Sequence, residues 1–446
     1  MDKVDTLINA SWVVPVEPDI TVLPAYSVAV QQGQIHDILP TQDACNKYHS
    51  DNTVTLDNHA LIPGLINAHG HSPMTLFRGL ADDLPLMTWL SDHIWPAEMR
   101  WVNSGFVRDG SRLAIAEMIK SGTTCFTDMY FFPEDTAVVA RDTGMRAAIG
   151  MIMIDFPSPY AQTPDEYLNK GLKLHDDFRN SGLIHTLFAP HAPYTVSDDS
   201  LRKIRTLSDE LDLIITMHVH ETAHEVEEAQ KQHNKRPIQR LAELDLFNSR
   251  LMAVHMTQLQ DDEIEFTAAQ GIHVIHCPES NLKLASGFCP VHKLLEAGVN
   301  VALGTDGAAS NNDLDMLGEM RSAALLAKGV ADDATALPAH TALRMATLNG
   351  ARALGIDDVT GSLVTGKSAD ITAVDLSDIT SQPVYDPVSQ IVYTAGRHQV
   401  SNVWVAGKRL LKDRRLTTID EAAVLENALS WHTKIAEEDS KRKKMR

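Results

Sequence analysis

The stretch Leu61-Ile-Pro-Gly-Leu-Ile-Asn-Ala-His-Gly-His-Ser72 decides the fold, because it joins an apolar, strand-like run to two closely spaced histidines. Side chains at positions i and i+2 of a strand point to the same side. The imidazoles of His69 and His71 are therefore aimed at one point, as a divalent metal requires. The alternative is that they are ordinary polar residues at a strand end. The residues at the other predicted strand ends distinguish between these two interpretations.

Seven further strand-like runs follow, and longer helical patterns separate them. The helical pattern over residues 107–120 has Leu113, Ala116 and Ile119 on one face and Gly122 as its stop. Eight strand–helix alternations predict an α/β fold with a (β/α)8 TIM barrel. The predicted barrel strands span residues 61–68, 123–128, 145–152, 185–189, 213–219, 251–255, 273–276 and 299–304.

Strand signals also occur at both ends of the chain. Residues 5–10 and 26–31 precede the barrel, and residues 369–375, 390–394 and 403–408 follow it. These ends are expected to meet as one small β-sandwich domain beside the barrel. The predicted organisation is 1–60 for the first part of this domain, 61–360 for the barrel, and 361–446 for the second part and a tail.

Composition narrows the classes of partner. The formal net charge of -20 at pH 7 would repel nucleic-acid phosphates and anionic membranes. No apolar run reaches the ~18 residues of a membrane span. The N-terminus lacks a basic-then-apolar signal and the four cysteines form no CxxC pair, which favours a cytoplasmic location. The predicted partner is a small molecule, and a homo-oligomer is only the general expectation for such proteins.

Polar residues collect at the predicted strand ends. Besides His69 and His71, the fifth strand ends in His218, the sixth in His255 and the eighth in Asp306. Catalytic residues of such barrels lie at the carboxyl ends of the strands. Three histidines and one carboxylate predict a single metal site made of His69, His71, His218 and Asp306. Zinc is the favoured ion, although iron and manganese accept the same ligands.

Each position has an alternative interpretation. His255 can be a hydrogen-bonded core residue, and Asp306 before a glycine can simply form a turn. His220 is expected to point the other way along the strand from the adjacent Glu221 and is not counted as a ligand. Four nearby polar residues are expected either to orient the site through hydrogen bonds or to cap helices, namely Ser280, Asn281, Ser310 and Asn311.

Seven short motifs follow one another along the chain: Ala68-His-Gly-His71, Asp128-Met-Tyr130, Pro190-His-Ala-Pro-Tyr194, His218-Val-His-Glu221, Val254-His255, His276-Cys-Pro-Glu-Ser-Asn-Leu-Lys-Leu284 and Gly304-Thr-Asp-Gly-Ala-Ala-Ser-Asn-Asn312. In these motifs the chain resembles the amidohydrolase superfamily, and within it the mononuclear deaminase branch of the methylthioadenosine/S-adenosylhomocysteine deaminases and triazine hydrolases. The resemblance covers nearly the whole chain. It implies one metal, because residues 186–191 lack the bridging lysine of the binuclear members.

This resemblance implies hydrolytic deamination of a purine nucleoside. Zinc would lower the pKa of a bound water toward ~7, and the resulting hydroxide would attack purine C6. Asp306 would take the proton of the water, and His255 would steady the nucleophile. Glu221 would protonate the ring nitrogen; its alternative role is that of an acid at a helix N-terminus. Ammonia and the inosine derivative are the expected products.

Two further residues are expected to contact the substrate. The resemblance places Glu98 on the two ribose hydroxyls and His191 on the nucleoside, although Glu98 can also be a surface acid at a helix start. Family members that accept S-adenosylhomocysteine carry arginines after the third strand, whereas residues 149–163 contain neither arginine nor lysine. The expected substrate is therefore 5'-methylthioadenosine, with S-adenosylhomocysteine and adenosine as weaker candidates.

Rival functions remain open at this stage. One is a deaminase or hydrolase of another amino-heterocycle, such as a triazine, guanine or an oxidised purine. Another is a non-catalytic scaffold on the same barrel, which should retain little zinc.

The segment Gly361-Ser-Leu-Val-Thr-Gly-Lys-Ser368 matches a phosphate-binding P-loop pattern. It lies in a strand-rich region and not between a strand and a helix, so it is treated as a chance match.

Overall fold

An eight-stranded parallel barrel forms the centre of the molecule. The structure is a computed structural model that describes residues 1–19 and 21–445, with side chains described as far as residue 438. Every barrel strand predicted from the sequence is present. The strands are Leu65–Asn67, Thr123–Asp128, Arg146–Met153, Ile184–Pro190, Ile215–Val219, Leu251–His255, His273–His276 and Asn300–Leu303.

The barrel closes between its first and last strands. The N–H of Ala68 donates to the carbonyl of Leu303 at 2.9 Å, and the N–H of Asp306 donates to the carbonyl of His69 at 3.1 Å. Most of the barrel strands are buried on both faces, and for this reason they read as continuous apolar runs. Closure brings the ends of the first and eighth strands side by side, although they are far apart in the sequence.

The predicted first strand, 61–68, is divided in the structure. Its first three residues end the long strand Thr53–Pro63 of a second sheet, and Leu65–Asn67 enters the barrel. Gly64 separates the two parts because a Cβ there would lie 1.9 Å from the Oγ1 of Thr124. Only glycine permits so close an approach of the backbone.

Both chain ends contribute to this second sheet, as the sequence predicted, and its strands form one continuous eight-stranded sheet. A separate two-stranded pair joins Asp2–Lys3 to Tyr48–His49. The order across the large sheet is Arg415–Leu416, Lys408–Lys412, Val400–Val405, Ile371–Asp375, Thr53–Pro63, Thr6–Val13, Leu23–Gln31 and Gln34–Pro40.

The prediction of a strand at residues 390–394 is wrong, because the chain forms the helix Pro387–Tyr393 there. Asp386 caps this helix by accepting a hydrogen bond from the N–H of Val388 at 2.9 Å, and Pro387 occupies the first turn. Its buried apolar residues, which include Val388 and Ile391, follow the spacing of a helix. The short apolar run was compatible with either structure, and the cap decides between them.

Helices surround the barrel and cover its mouth. None of the described helices is long and apolar enough to cross a membrane. A set of short turns between the first strand and the first long helix covers the carboxyl end of the barrel: Ser72–Phe77, Leu86–Thr88, Trp89–Ile94 and Trp95–Trp101. The other α-helices are Thr41–Lys47, Ser104–Lys120, Pro133–Thr143, Pro164–Phe178, Asp198–Leu211, Ala223–His233, Pro237–Glu243, Asp261–Ala269, Pro278–Lys283, Val291–Glu296, Met316–Ala331, Ala339–Met345, Leu348–Ala353 and Glu421–Met445.

Candidate active site

Four side chains converge at the carboxyl end of the barrel. One ligand atom from each of His69, His71, His218 and Asp306 lies within 4.8 Å of the others. The Nε2 atom of His71 is 3.0 Å from the Oδ1 of Asp306, and the Nε2 atoms of His69 and His218 are 3.1 Å apart. The structure thus brings together the residues that the sequence proposed as metal ligands.

Hydrogen bonds behind this group fix its orientation. The Nδ1 of His71 bonds to the carbonyl of Met129 at 2.6 Å, and the Nδ1 of His218 bonds to the carbonyl of His191 at 2.7 Å. A carbonyl only accepts, so each Nδ1 carries a proton, and each Nε2 is the ring atom that faces the centre of the site.

The serines near Asp306 act on the carboxylate itself. The hydroxyls of Ser280 and Ser310 both donate to its Oδ2, at 2.7 and 2.8 Å. This leaves Oδ1 directed at the histidines. Asn311 does not contact the carboxylate; its amide donates to the carbonyl of Thr305 at 2.8 Å and holds the loop.

Two further side chains, His255 and Glu221, lie beside the four potential metal ligands His69, His71, His218 and Asp306, which are called the donor set below. The Nδ1 of His255 bonds to the Oδ1 of Asn281 at 2.8 Å, and its Nε2 is 3.9 Å from the Oε1 of Glu221. Only 7% of Glu221 is exposed, and burial raises the pKa of its carboxyl group. Glu225 anchors this segment, since its carboxylate accepts from the N–H of Glu221 at 2.7 Å. Glu221 can therefore hold a proton close to the donor set.

A cavity of about 300 Å³ opens onto these groups. Glu98 lines it and is 8% exposed, and burial raises the pKa of its carboxyl group to about 7. His191 also lines it, with its Nδ1 3.0 Å from the hydroxyl of Thr195. Most of the remaining surface is apolar and includes Met74, Leu86, Trp89, Leu90, Ile94, Trp95, Met129, Phe131, Ile152, Ile154 and Phe156. The structure thus places both predicted substrate-contact residues in the cavity that holds the donor set.

Comparisons with known proteins agree with this geometry. Residues 60–410 match the amidohydrolase family. The chain belongs to the amidohydrolase family. It is 51% identical to a 5-methylthioadenosine/S-adenosylhomocysteine deaminase of Teredinibacter turnerae, over 97% of this chain and 98% of that one. It is 42% identical to a 5'-deoxyadenosine deaminase of Methanothermobacter thermautotrophicus, over 90% of this chain and 93% of that one.

A solved structure extends the comparison. This amidohydrolase aligns with an adenosine deaminase from Xanthomonas campestris that contains bound zinc, at a TM-score of 0.97 and 53% identity, over 98% of this chain and 99% of that one. An atrazine chlorohydrolase from Arthrobacter aurescens shares the fold, at a TM-score of 0.90 but 21% identity, over 96% of this chain and 99% of that one.

The donor set of this amidohydrolase fits a zinc ion. Burial lowers the pKa of His69 to about 4 and the pKa of His218 well below its ordinary value, so both rings are neutral at pH 7. The Nε2 atoms of His69 and His218 are 3.1 Å apart, and the Oδ1 of Asp306 is 3.5 Å from the Nε2 of His69, so three potential ligand atoms surround one point. The buried Nδ1 of His69 makes no hydrogen bond. Three histidines and one carboxylate are ligands that zinc accepts.

The strand ends carry unusual backbone conformations. His220, His255 and Asp306 have φ values of 52°, 77° and 61°, in the left-handed region that residues other than glycine rarely adopt. Such positions cost about 1–3 kcal/mol each and persist where surrounding contacts hold them. The turn at His220 directs its ring away from the donor set, and its Nδ1 lies 3.8 Å from the Oε2 of Glu263.

Asn67 is a residue of this site that the sequence analysis did not identify. Its Oδ1 accepts from the N–H of Thr305 at 2.9 Å, and its Nδ2 donates to the hydroxyl of Thr305 at 2.7 Å. This pair of bonds joins the strand of His69 to the loop of Asp306. An asparagine inside an otherwise apolar buried strand was the available signal, because a buried amide needs hydrogen-bond partners.

Proposed function

We propose that this amidohydrolase is a zinc-dependent deaminase of 5'-substituted adenosines, with 5'-methylthioadenosine preferred to S-adenosylhomocysteine. The observation that carries the proposal is the arrangement of one cavity. Glu221 and three of the four metal-ligand residues, His71, His218 and Asp306, line the same cavity as Glu98. A proton donor, metal ligands and a diol acceptor therefore face one ligand. The names of the similar deaminases agree with a 5'-modified adenosine as the class of substrate.

The metal ligands and Glu221 have different roles in the proposed reaction. Bound zinc, held by His69, His71, His218 and Asp306, would supply a Lewis acid that lowers the pKa of water. Burial raises the pKa of Glu221, which favours its protonated form, and Glu221 can pass this proton to the ring nitrogen beside the carbon under attack. The ring then accepts the electron pair without a build-up of negative charge.

Asp306 and His255 act on the nucleophile. Ser280 and Ser310 occupy the Oδ2 of Asp306, which leaves Oδ1 to receive a proton and to return it to the departing ammonia. His255 donates from Nδ1 to Asn281, so its Nε2 accepts a hydrogen bond from the attacking water and orients it.

The other end of the cavity suits a nucleoside. A carboxylate accepts two hydrogen bonds, and the vicinal hydroxyls of ribose supply two donors, so Glu98 matches the sugar. Burial lowers the pKa of His191 to about 3. The ring is therefore neutral, and with its Nδ1 on Thr195 it presents Nε2 to the purine or the sugar.

The substituent at the 5' position is expected to be apolar. None of the described residues that line the cavity is a lysine or an arginine, and Phe156, Pro157 and Pro159 form part of its wall. A thioether methyl group needs only such a surface, whereas the carboxylate of S-adenosylhomocysteine would lose water without gaining a cationic partner.

A panel of substrates tests the proposal. Zinc-loaded protein would be offered 5'-methylthioadenosine, S-adenosylhomocysteine, adenosine, adenine and guanine, and the ultraviolet change on deamination would be followed. We expect the highest kcat/KM for 5'-methylthioadenosine. Equal values for the first two substrates would contradict the preference. Inactivity on every nucleoside would reject the proposed substrate and direct the search to triazines and other amino-heterocycles.

A further inference from the structure

Two hydrogen-bond donors in the active-site cavity lack partners. Of the described residues that line it, Trp89 and Tyr130 are the two with a buried side-chain polar atom, Nε1 and the phenol oxygen, that makes no hydrogen bond. Their side chains are almost fully buried, with 6% and 4% of each residue exposed. Buried polar groups are nearly always paired, so an unpaired donor that faces a cavity indicates a ligand atom that completes it.

Tyr130 lies beside Glu98. The hydroxyl of Tyr130 lies close enough to the carboxyl group for a weak hydrogen-bonding contact to lower the pKa of Glu98, against the larger effect of burial. This contact lies outside regular hydrogen-bond geometry, so the phenol makes no well-formed hydrogen bond. The cavity therefore presents an acceptor and an unpaired donor side by side.

The backbone of Tyr130 is fixed relative to the metal-ligand set. The preceding residue, Met129, donates its N–H to the carbonyl of Gly70 at 2.9 Å. Its own carbonyl accepts from the Nδ1 of His71 at 2.6 Å. The Tyr130 ring also packs against Phe131, with centroids 5.4 Å apart. A substrate held at the metal site would meet the phenol at a constant position.

The chemistry of a vicinal diol matches this pair of groups. Each hydroxyl of a diol donates one hydrogen bond and accepts through its lone pairs. When both hydroxyls donate to Glu98, their oxygens still have lone pairs that water would otherwise occupy. A tyrosine hydroxyl next to the carboxylate can donate to one of them and replace that water.

We infer that Tyr130 is a specificity-determining residue that donates a hydrogen bond to one ribose hydroxyl of the substrate whose diol Glu98 binds. This inference rests on the proposed function, which it deepens. It gives the enzyme a means to select ribonucleosides against analogues that lack this hydroxyl, because the buried phenol would then stay unpaired.

The test combines a substitution with a change of substrate. The zinc-loaded wild type and Tyr130→Phe would be assayed with 5'-methylthioadenosine and with its 2'-deoxy and 3'-deoxy analogues. We expect Tyr130→Phe to lower kcat/KM for the full ribonucleoside about tenfold, as for one lost hydrogen bond in a buried site. For the analogue that lacks the contacted hydroxyl, the same substitution should change kcat/KM less than about twofold.

Tyr160→Phe is the matched control. Tyr160 is also 4% exposed and also has an unpaired hydroxyl, but it does not line the cavity. This variant should lower kcat/KM equally, or not at all, for all three substrates. An equal loss for all three substrates with Tyr130→Phe, or no loss for the ribonucleoside, would overturn the inference and leave the proposed function intact. A wild type that deaminates no nucleoside would overturn both.

Discussion

Replacing Glu98 by glutamine should stabilise the protein while it weakens catalysis. Glu98 is 8% exposed, and burial raises the pKa of its carboxyl group from 4.5 to about 7. A rise of this size corresponds to about 3 kcal/mol at roughly 1.4 kcal/mol per pH unit. That free energy opposes folding whenever the carboxyl group is ionised.

The pH dependence has a definite sign. Between pH 4.5 and about 7 the unfolded chain loses this proton before the folded protein does. The contribution of Glu98 to the free energy of unfolding therefore falls as the pH rises through that window. Glutamine has no proton to lose, so Glu98→Gln should gain up to about 3 kcal/mol at pH 8 relative to wild type, and progressively less toward pH 5.

Activity should change in the opposite direction. Glutamine keeps one acceptor oxygen and loses the charge, so the ribose diol loses one charge-assisted hydrogen bond of about 1.5–3 kcal/mol. This amounts to a decrease in kcat/KM of about 10- to 150-fold for 5'-methylthioadenosine. In wild type, kcat/KM should also fall below pH 7 as Glu98 takes up a proton, and this contribution should be absent from Glu98→Gln.

Urea unfolding of the zinc-loaded proteins at several pH values between 5.5 and 8.5, together with the ultraviolet deamination assay, measures both effects. The exposed Glu265 offers a control, because Glu265→Gln should change neither quantity. A stability difference between Glu98→Gln and wild type that is independent of pH would refute the burial argument. An unchanged kcat/KM would refute the diol contact.

Three further substitutions test other parts of the structure. Glu221→Gln should retain zinc, measured by metal analysis, and lower kcat by about 10²–10⁴-fold; normal turnover would exclude it as the proton donor. Asn67→Ala removes both bonds to Thr305 and should lower zinc retention under dialysis against a chelator, together with about 1–3 kcal/mol of stability; unchanged retention would contradict its positioning role. Arg146→Leu leaves Asp370 as an unpaired buried charge and should cost about 3–5 kcal/mol in urea unfolding, much of it recovered when Asp370 is also replaced by leucine.

Much of the fold follows from local pattern. The barrel strands are buried on both faces, so each appears in the sequence as a short apolar run between helical segments. The position of His69 and His71 at a strand end also follows from spacing, because i and i+2 share a face. Where a run is short, local signals compete: the apolar residues of Pro387–Tyr393 suggested a strand, whereas the cap at Asp386 produces a helix.

The sequence by itself determined the alternation of strands and helices, and hence which residues stand at the strand ends. Only the tertiary structure decided which of them meet. His69 and His218 are 149 positions apart, and Asn67 and Thr305 are 238 apart, yet barrel closure places each pair in contact. The unpaired hydroxyl of Tyr130 beside Glu98 likewise has no sequence signature. The spacing of apolar residues in the sequence indicates which face of each strand or helix is buried. A contact between distant segments depends on how the whole barrel closes and on which buried polar groups then form hydrogen bonds with one another.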